Sequence, residues 1–342
     1  KRSECYGHFD DGERFAFFSK AVLSILPIID FFPDIIHVND WQASLVSVYL
    51  KTDFSGHDNY RNIKTILTIH NIEYQGMFDI NMAGDVLGLY GDKKSIVEFN
   101  GSVNFLKGAM ETSDIISTVS ESYSKEIFDD YYAHGLASVI NRNASKARGI
   151  LNGIDTDYYN PATDKSLFEN YSIDNIQGKH VNKSNLQLMT GLPQDESIPV
   201  IAIISRLVWH KGFDLIINGI YHDKIAVTID FNTDLAKKLY AGADFILMPS
   251  ISEPCGIAQM IASRYGTVPI VRETGGLKDS IKDCSFGSGN GFTFYEQSPK
   301  ALTDTVKRAL KVYSNKENFR KLVEAVMSVD FSWEKSAEKY YE

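Results

Sequence analysis

Short apolar runs alternate with helix-like segments along most of this 342-residue chain. That alternation limits the fold more than any single motif does. It is the pattern of parallel α/β architecture, in which a helix follows each strand and returns the chain to the same edge of a sheet. In the first half, Asp34–Val38 (DIIHV), Lys64–His70 (KTILTIH) and Asp114–Ser120 (DIISTVS) read as buried strands, while Trp41–Leu50 and Ser120–Tyr132 have helical spacing. From Asp157 to about Ser197 the chain turns polar and turn-rich. A second series follows, with Ile198–Ser205, Lys224–Ile229, Asp244–Ser250 and Val268–Glu273 as strands. His210–Ile220, Thr233–Ala243 and Gly256–Gly266 are the helices between them. The tail from Pro299 to Glu342 reads as two or three amphipathic helices. The length suits two domains of roughly 150 residues or more each. The expected fold is therefore α/β, with two doubly wound Rossmann-like domains, 1–156 and 157–342, facing a cleft between the carboxyl ends of their sheets.

Charge and cysteine usage narrow the partners. The net charge is −9, and an acidic surface repels nucleic acid and anionic membranes, so neither is an expected partner and an anionic ligand needs a local basic pocket. The three cysteines, Cys5, Cys255 and Cys284, are an odd number far apart in sequence. They read as reduced thiols of a cytoplasmic protein. No apolar run approaches the ~20 residues that cross a bilayer, and the opening KRSECYGHFDDGERF does not read as a signal peptide. The sequence carries no signal for an oligomeric state.

The chemistry-bearing residues sit where the strand runs end. Ile246–Ile281 holds two apolar runs, each stopped by a polar loop that opens a helix. The first loop carries Glu253, the second the pair Gly275–Gly276. One βα unit apart, both loops fall on the same sheet edge. Glycines before a helix let backbone N–H groups approach an anion closely. A tight turn and a helix cap explain either loop alone equally well. In Ile204–Ile216, Arg206 and Lys211 flank another strand exit, and two cations there would neutralise a diphosphate. Solvated surface charge is the usual alternative for such residues. Asp40 and His70 end strand runs of the first domain, and His70 is followed by the polar and aromatic Asn71, Glu73, Tyr74 and Gln75. Asn152 and Asp155 lie in a further strand-exit loop, where a plain turn explains them equally well. Cys255 reads as a packed thiol near the site. No zinc-spaced Cys/His cluster, paired-aspartate metal motif, Walker loop or nucleophile elbow is present.

Together these stretches resemble the bacterial glycogen synthase and plant starch synthase family, retaining glucosyltransferases of the GT-B fold. RFAFFSKA, PDIIHVNDWQASLV, TILTIHNIEYQG, ILNGID, SRLVWHKGFDL, the long YAGADFILMPSISEPCGIAQMIASRYGTVPIVRETGGLKDSI and FSWEKSAEKYY match that family in order. The resemblance implies that Arg206 and Lys211 hold the donor diphosphate and that the Thr274-Gly275-Gly276 loop binds phosphate oxygens. It places Glu253 at the reacting glucose, with Asp40, His70 and Asn152 completing that pocket. Tyr240, Cys255, Gly256, Ile257 and Ala258 would line the donor site. The broader GT-B set, including sucrose synthases, usually has a second glutamate eight residues after the first. Ile261 stands there, with Gln259 two residues before.

Three departures accompany the match. The chain starts downstream of the family's first strand and its Lys-Gly-Gly loop. A strand–helix unit expected near Ile220 is missing, so both sheets should be short of strands. His210 occupies the variable position before Lys211. The last helix, about 331–342, is expected to pack back on the N-terminal domain. The implied activity is glucosyl transfer from ADP-glucose to the non-reducing end of an α-1,4-glucan or glycogen, with retention and with no cofactor or metal. The alternatives are another GT-B transferase using UDP-glucose and a non-catalytic glucan-binding homologue.

Overall fold

The computed structural model describes residues 4–215 and 224–341, which fall into two compact units, Lys1–Gly149 and Ile150–Glu342. The strands of the first unit are β1 (Ile35–Asn39), β2 (Lys64–Ile69), β3 (Met77–Asp79), β4 (Glu98–Phe99), β5 (Ser102–Asn104), β6 (Ile115–Thr118) and β7 (Ala147–Gly149). Four of them form a parallel sheet in the order β1-β2-β6-β7, and β3, β5 and β4 make a small antiparallel sheet beside it. The second unit adds β8 (Ile201–Ala202), β9 (Phe245–Met248), β10 (Val268–Arg272) and β11 (Phe292–Phe294), a parallel sheet in the order β11-β10-β9-β8. Both units are parallel α/β layers of the expected kind, and the apolar runs explain why. All four residues of β9 are buried, as is the whole run Val268–Val271 of β10, so helices must cover both faces.

The domain boundary lies seven residues earlier than the sequence reading put it, at Gly149 rather than residue 156. Two contacts explain the shift. Ile154 N–H donates to Phe331 O at 2.8 Å, in an isolated bridge between Ile154 and Ser332. A Cβ on Gly153 would stand 2.5 Å from the Trp333 backbone. The LNGID loop is thus pinned to the start of the last helix, Trp333–Tyr341, within the second unit.

Two further expectations are corrected. Lys224–Ile229, read as a strand, is not one: Ile225, Val227 and Ile229 are 52%, 78% and 79% exposed. An apolar run makes a strand only when it pairs with a neighbour, and β8, at the sheet edge, pairs with β9 and not with this segment. Of the predicted helix His210–Ile220, the described part is two short 3-10 turns, Trp209–Lys211 and Phe213–Leu215. The remainder, and the proposed gap at Ile220, lie outside the described residues. Conversely, the turn-rich stretch contains a fourteen-residue helix, Gln177–Thr190.

That helix was hidden because its buried face is polar: Lys179, Asn182, Lys183 and Gln187 all point inward. Lys179 Nζ donates to Ala241 O, Ala243 O and Tyr265 O at 3.0 Å and approaches Thr267 Oγ1 at 2.9 Å. It ties together the chain segments that enter β9 and β10 from below. Lys183 pairs with Asp244 at 2.8 Å, and the same Asp244 carboxylate accepts the Val200 N–H, fixing where β8 and β9 begin. Burial pulls the Lys179 pKa below the usual lysine value. Its acceptors would be left without that partner by a methionine. Lys179→Met is therefore expected to lower unfolding free energy by about 3 kcal/mol, measured by urea denaturation followed by far-UV circular dichroism. An unchanged midpoint would remove this role.

Candidate active site

In the second unit, three loops leave the carboxyl ends of β8, β9 and β10. A cavity of about 140 Å³ opens between the first two, and its lining includes Arg206, Lys211, Glu253, Gly256, Ile257 and Ala258. Lys211 Nζ lies 2.5 Å from Glu253 Oε2, and Ser250 Oγ donates to the same oxygen at 3.0 Å. Both members of the ion pair are largely buried, with side chains 14% and 9% exposed. Arg206 is exposed.

Glycines set this geometry. Gly212 has φ +72°, and a Cβ there would meet Pro249 O at 2.2 Å. The turn carrying Lys211 can therefore lie directly on the β9 loop, where Ile251 N–H donates to His210 O at 2.8 Å. On the other side, a Cβ on Gly275 would meet Glu253 O at 2.0 Å, and one on Gly276 would meet Cys255 O at 2.0 Å. Gly276 N–H faces the carbonyls of Glu253 and Pro254 at 3.1 and 3.2 Å. The glycine pair thus seats the glutamate loop backbone against backbone. The Gly276 N–H is thereby committed inside the protein, a packing role that the sequence reading did not give it.

The first unit carries its own cluster at the ends of β1 and β2. Asp40 adopts φ +54°, a left-handed conformation that is strained for a residue with a side chain. Its Oδ1 accepts the His70 N–H at 2.8 Å, and His70 Nε2 sits 3.0 Å from Asn39 Oδ1. Burial raises the Asp40 pKa, against the opposing pull of the His70 N–H, the His70 ring and the Asn71 N–H. Gln75, one of the polar residues that follow His70, is buried and bound to His134 O and Asn104. Tyr74 is 48% exposed.

Sequence comparison finds relatives for both halves of the chain. Residues 1–142 match the family model described as starch synthase catalytic domain, and residues 220–325 match glycosyl transferases group 1. The glycogen synthase of Alkaliphilus metalliredigens is 43% identical over 375 positions, spanning 99% of this chain and 78% of the relative. That of Clostridioides difficile is 42% identical over 377 positions. The chain belongs to the glycogen and starch synthase family. It resembles the catalytic domain of starch synthase IV from Arabidopsis thaliana, solved with ADP and acarbose, at TM-score 0.91 and 34% identity over 99% of this chain and 78% of that one. A sucrose-phosphate synthase from Thermosynechococcus elongatus, 16% identical at TM-score 0.60, shares the GT-B fold alone. The Alkaliphilus alignment exceeds the 342 residues of this chain by 33 positions. At least that many residues of this synthase relative have no counterpart here.

The remaining sequence-predicted residues divide. Asn152 N–H donates to the Cys255 thiol, so the LNGID loop does reach the glutamate loop. Burial pushes the Cys255 thiol up to about 12, with the Asn152 N–H acting the other way, so this is a packed thiol and not a nucleophile. Tyr240 does not line the cavity. It sits in the last turn of the helix Thr233–Gly242, which leads into the amino end of β9, and is buried with its ring 6.2 Å from Tyr265. A helix that enters a parallel sheet delivers its end to the edge opposite the ligand site, so the YAGAD tyrosine is a core residue. Two contributors were missed: Ser250, and Arg272, whose Nη1 donates to Ser250 O and Ile251 O at 3.2 and 2.8 Å. The serine lay in plain view in MPSISEP, but its target three residues on shows only in the folded loop.

A carboxyl whose pKa is raised by folding holds its proton more tightly in the folded chain. Ionising it above the unfolded value therefore costs stability, and the cost grows as pH rises from the unfolded value towards the folded one. Asp40→Asn keeps the Oδ1 acceptor and removes that charge. It is expected to raise the thermal midpoint at pH 7, with the gain shrinking towards zero as pH falls below the ordinary carboxyl range. Differential scanning calorimetry from pH 3.5 to 7 checks this, and a lowered midpoint at pH 7 would contradict it.

Proposed function

We propose that this chain transfers glucose from ADP-glucose to the non-reducing end of an α-1,4-glucan, with retention at the anomeric carbon. The observation that supports it most is the convergence of Arg206, Lys211 and Glu253 on one cavity at the carboxyl ends of β8 and β9. The starch synthase IV structure contains ADP and acarbose, and that pairing of nucleotide and oligosaccharide fits the same reading.

As the bond between the anomeric carbon and the diphosphate breaks, the sugar gains positive character and negative charge grows on the leaving group. Fixed cations facing that charge act mainly on the transition state, where they raise the rate rather than the affinity alone. Arg206 and Lys211 take this role. Glu253 accepts hydrogen bonds from glucose hydroxyls, and Asp40 and His70 are assigned to the transferred sugar. The reaction needs no metal in this reading, because the two cations balance the diphosphate.

Transfer of labelled glucose into glycogen tests the proposal. The intact chain is expected to label glycogen from ADP-glucose in preference to UDP-glucose, and EDTA should leave the rate unchanged. Arg206→Gln or Lys211→Gln should lower kcat/KM by on the order of 10²-fold, by analogy with loss of one oxyanion-stabilising donor. Glycogen binding without any label transfer would overturn the enzymatic reading.

A further inference from the structure

A cation needed for a diphosphate is already paired inside the protein. Lys211 Nζ is 2.5 Å from Glu253 Oε2, with both side chains mostly shielded from solvent. Glu253 is itself held in place: Ser250 Oγ donates to it, Arg272 braces the carbonyls of Ser250 and Ile251, and Gly276 N–H anchors its own carbonyl. The carboxylate therefore cannot simply swing out to free the lysine. A diphosphate arriving in the cavity must take Lys211 from a rigid anion that lost its hydration when the protein folded. Exchanging one shielded ion pair for another leaves little net gain, and it strands the carboxylate without its cation.

A nucleotide that carries a hexose differs in one respect. Its hydroxyl groups can donate to the Glu253 carboxylate just as Lys211 turns to the phosphates. We infer that Glu253 competes with the diphosphate for Lys211, and that a hexose hydroxyl relieves the competition. The site thereby favours a sugar-bearing nucleoside diphosphate over the bare nucleoside diphosphate left after transfer. This deepens the donor-site reading above and rests on it. Glu253 acts here as a specificity determinant and an aid to product release, in addition to touching the sugar.

Calorimetric titration of the whole chain with ADP, and separately with inorganic diphosphate, tests the inference. Glu253→Gln keeps the side-chain shape and removes the competing charge. It is expected to bind both ligands roughly tenfold more tightly than wild type at low salt, from the size of one unscreened charge a few ångströms away. The gain should shrink as salt rises. Glu253→Ala should show the same sign, which guards against a folding defect in either variant. Lys211→Gln should weaken binding, and adding it to Glu253→Gln should abolish the gain. If Lys211→Gln weakens ADP binding while both Glu253 variants bind no tighter than wild type, the competition is wrong and the donor site stands. If Lys211→Gln leaves binding of both ligands untouched, the donor-site reading itself falls, and the inference with it.

Discussion

The second unit depends on how closely backbone can lie against backbone at one edge of a sheet. Gly212, Gly275 and Gly276 each occupy a point where a side chain would overlap a carbonyl of the loop that follows β9, at 2.0 to 2.2 Å. Removing three side chains lets two neighbouring loops press on the glutamate loop from either side. The consequences run outward from there. Lys211 comes within reach of Glu253, the Gly276 N–H satisfies the Glu253 carbonyl, and Asn152 meets Cys255. A parallel sheet supplies the edge, and the absence of side chains lets that edge be compact enough to hold a dehydrated ion pair.

The two units concentrate polar groups differently. In the first, Asp40 is held in a left-handed backbone conformation with its carboxylate on the His70 amide, a strain that surrounding contacts must maintain. In the second, the backbone is relaxed by glycine and the tension is electrostatic, between a buried cation and a buried anion. Below the sheet, Lys179 and Lys183 do structural work of the same kind, satisfying carbonyls and a carboxylate where the strands begin. Lysine thus appears on both edges of one sheet, as a brace at the amino ends and as a cavity-lining charge paired with Glu253 at the carboxyl ends.

Much of this was legible in the sequence. The strand runs that end at Met248 and Arg272 were found because parallel strands covered on both faces are continuously apolar, and those that end at Asn39 and Ile69 from shorter apolar runs stopped by polar residues. The helix Gln177–Thr190 was not legible, since a buried face of lysine, asparagine and glutamine leaves no apolar stripe to read. Lys224–Ile229 was over-read for the converse reason, an apolar pattern whose side chains the fold leaves exposed. Tyr240 was misplaced because a motif shows which residues recur together but not which end of a helix faces the site. The glycine pair was located from sequence, but its packing against the glutamate loop was not legible: sequence reveals a position without a side chain, whereas what approaches it is set by the fold.

The most direct test of the packing account is Gly276→Ala, because the added methyl would meet the backbone of Cys255, which has no flexible end to move aside. Glucosyl transfer would be measured on the folded variant, with thermal unfolding followed in parallel. The account predicts a chain that still folds, with transfer reduced by on the order of 10²-fold as Glu253 loses its seat. A folded alanine variant with the wild-type transfer rate would contradict it.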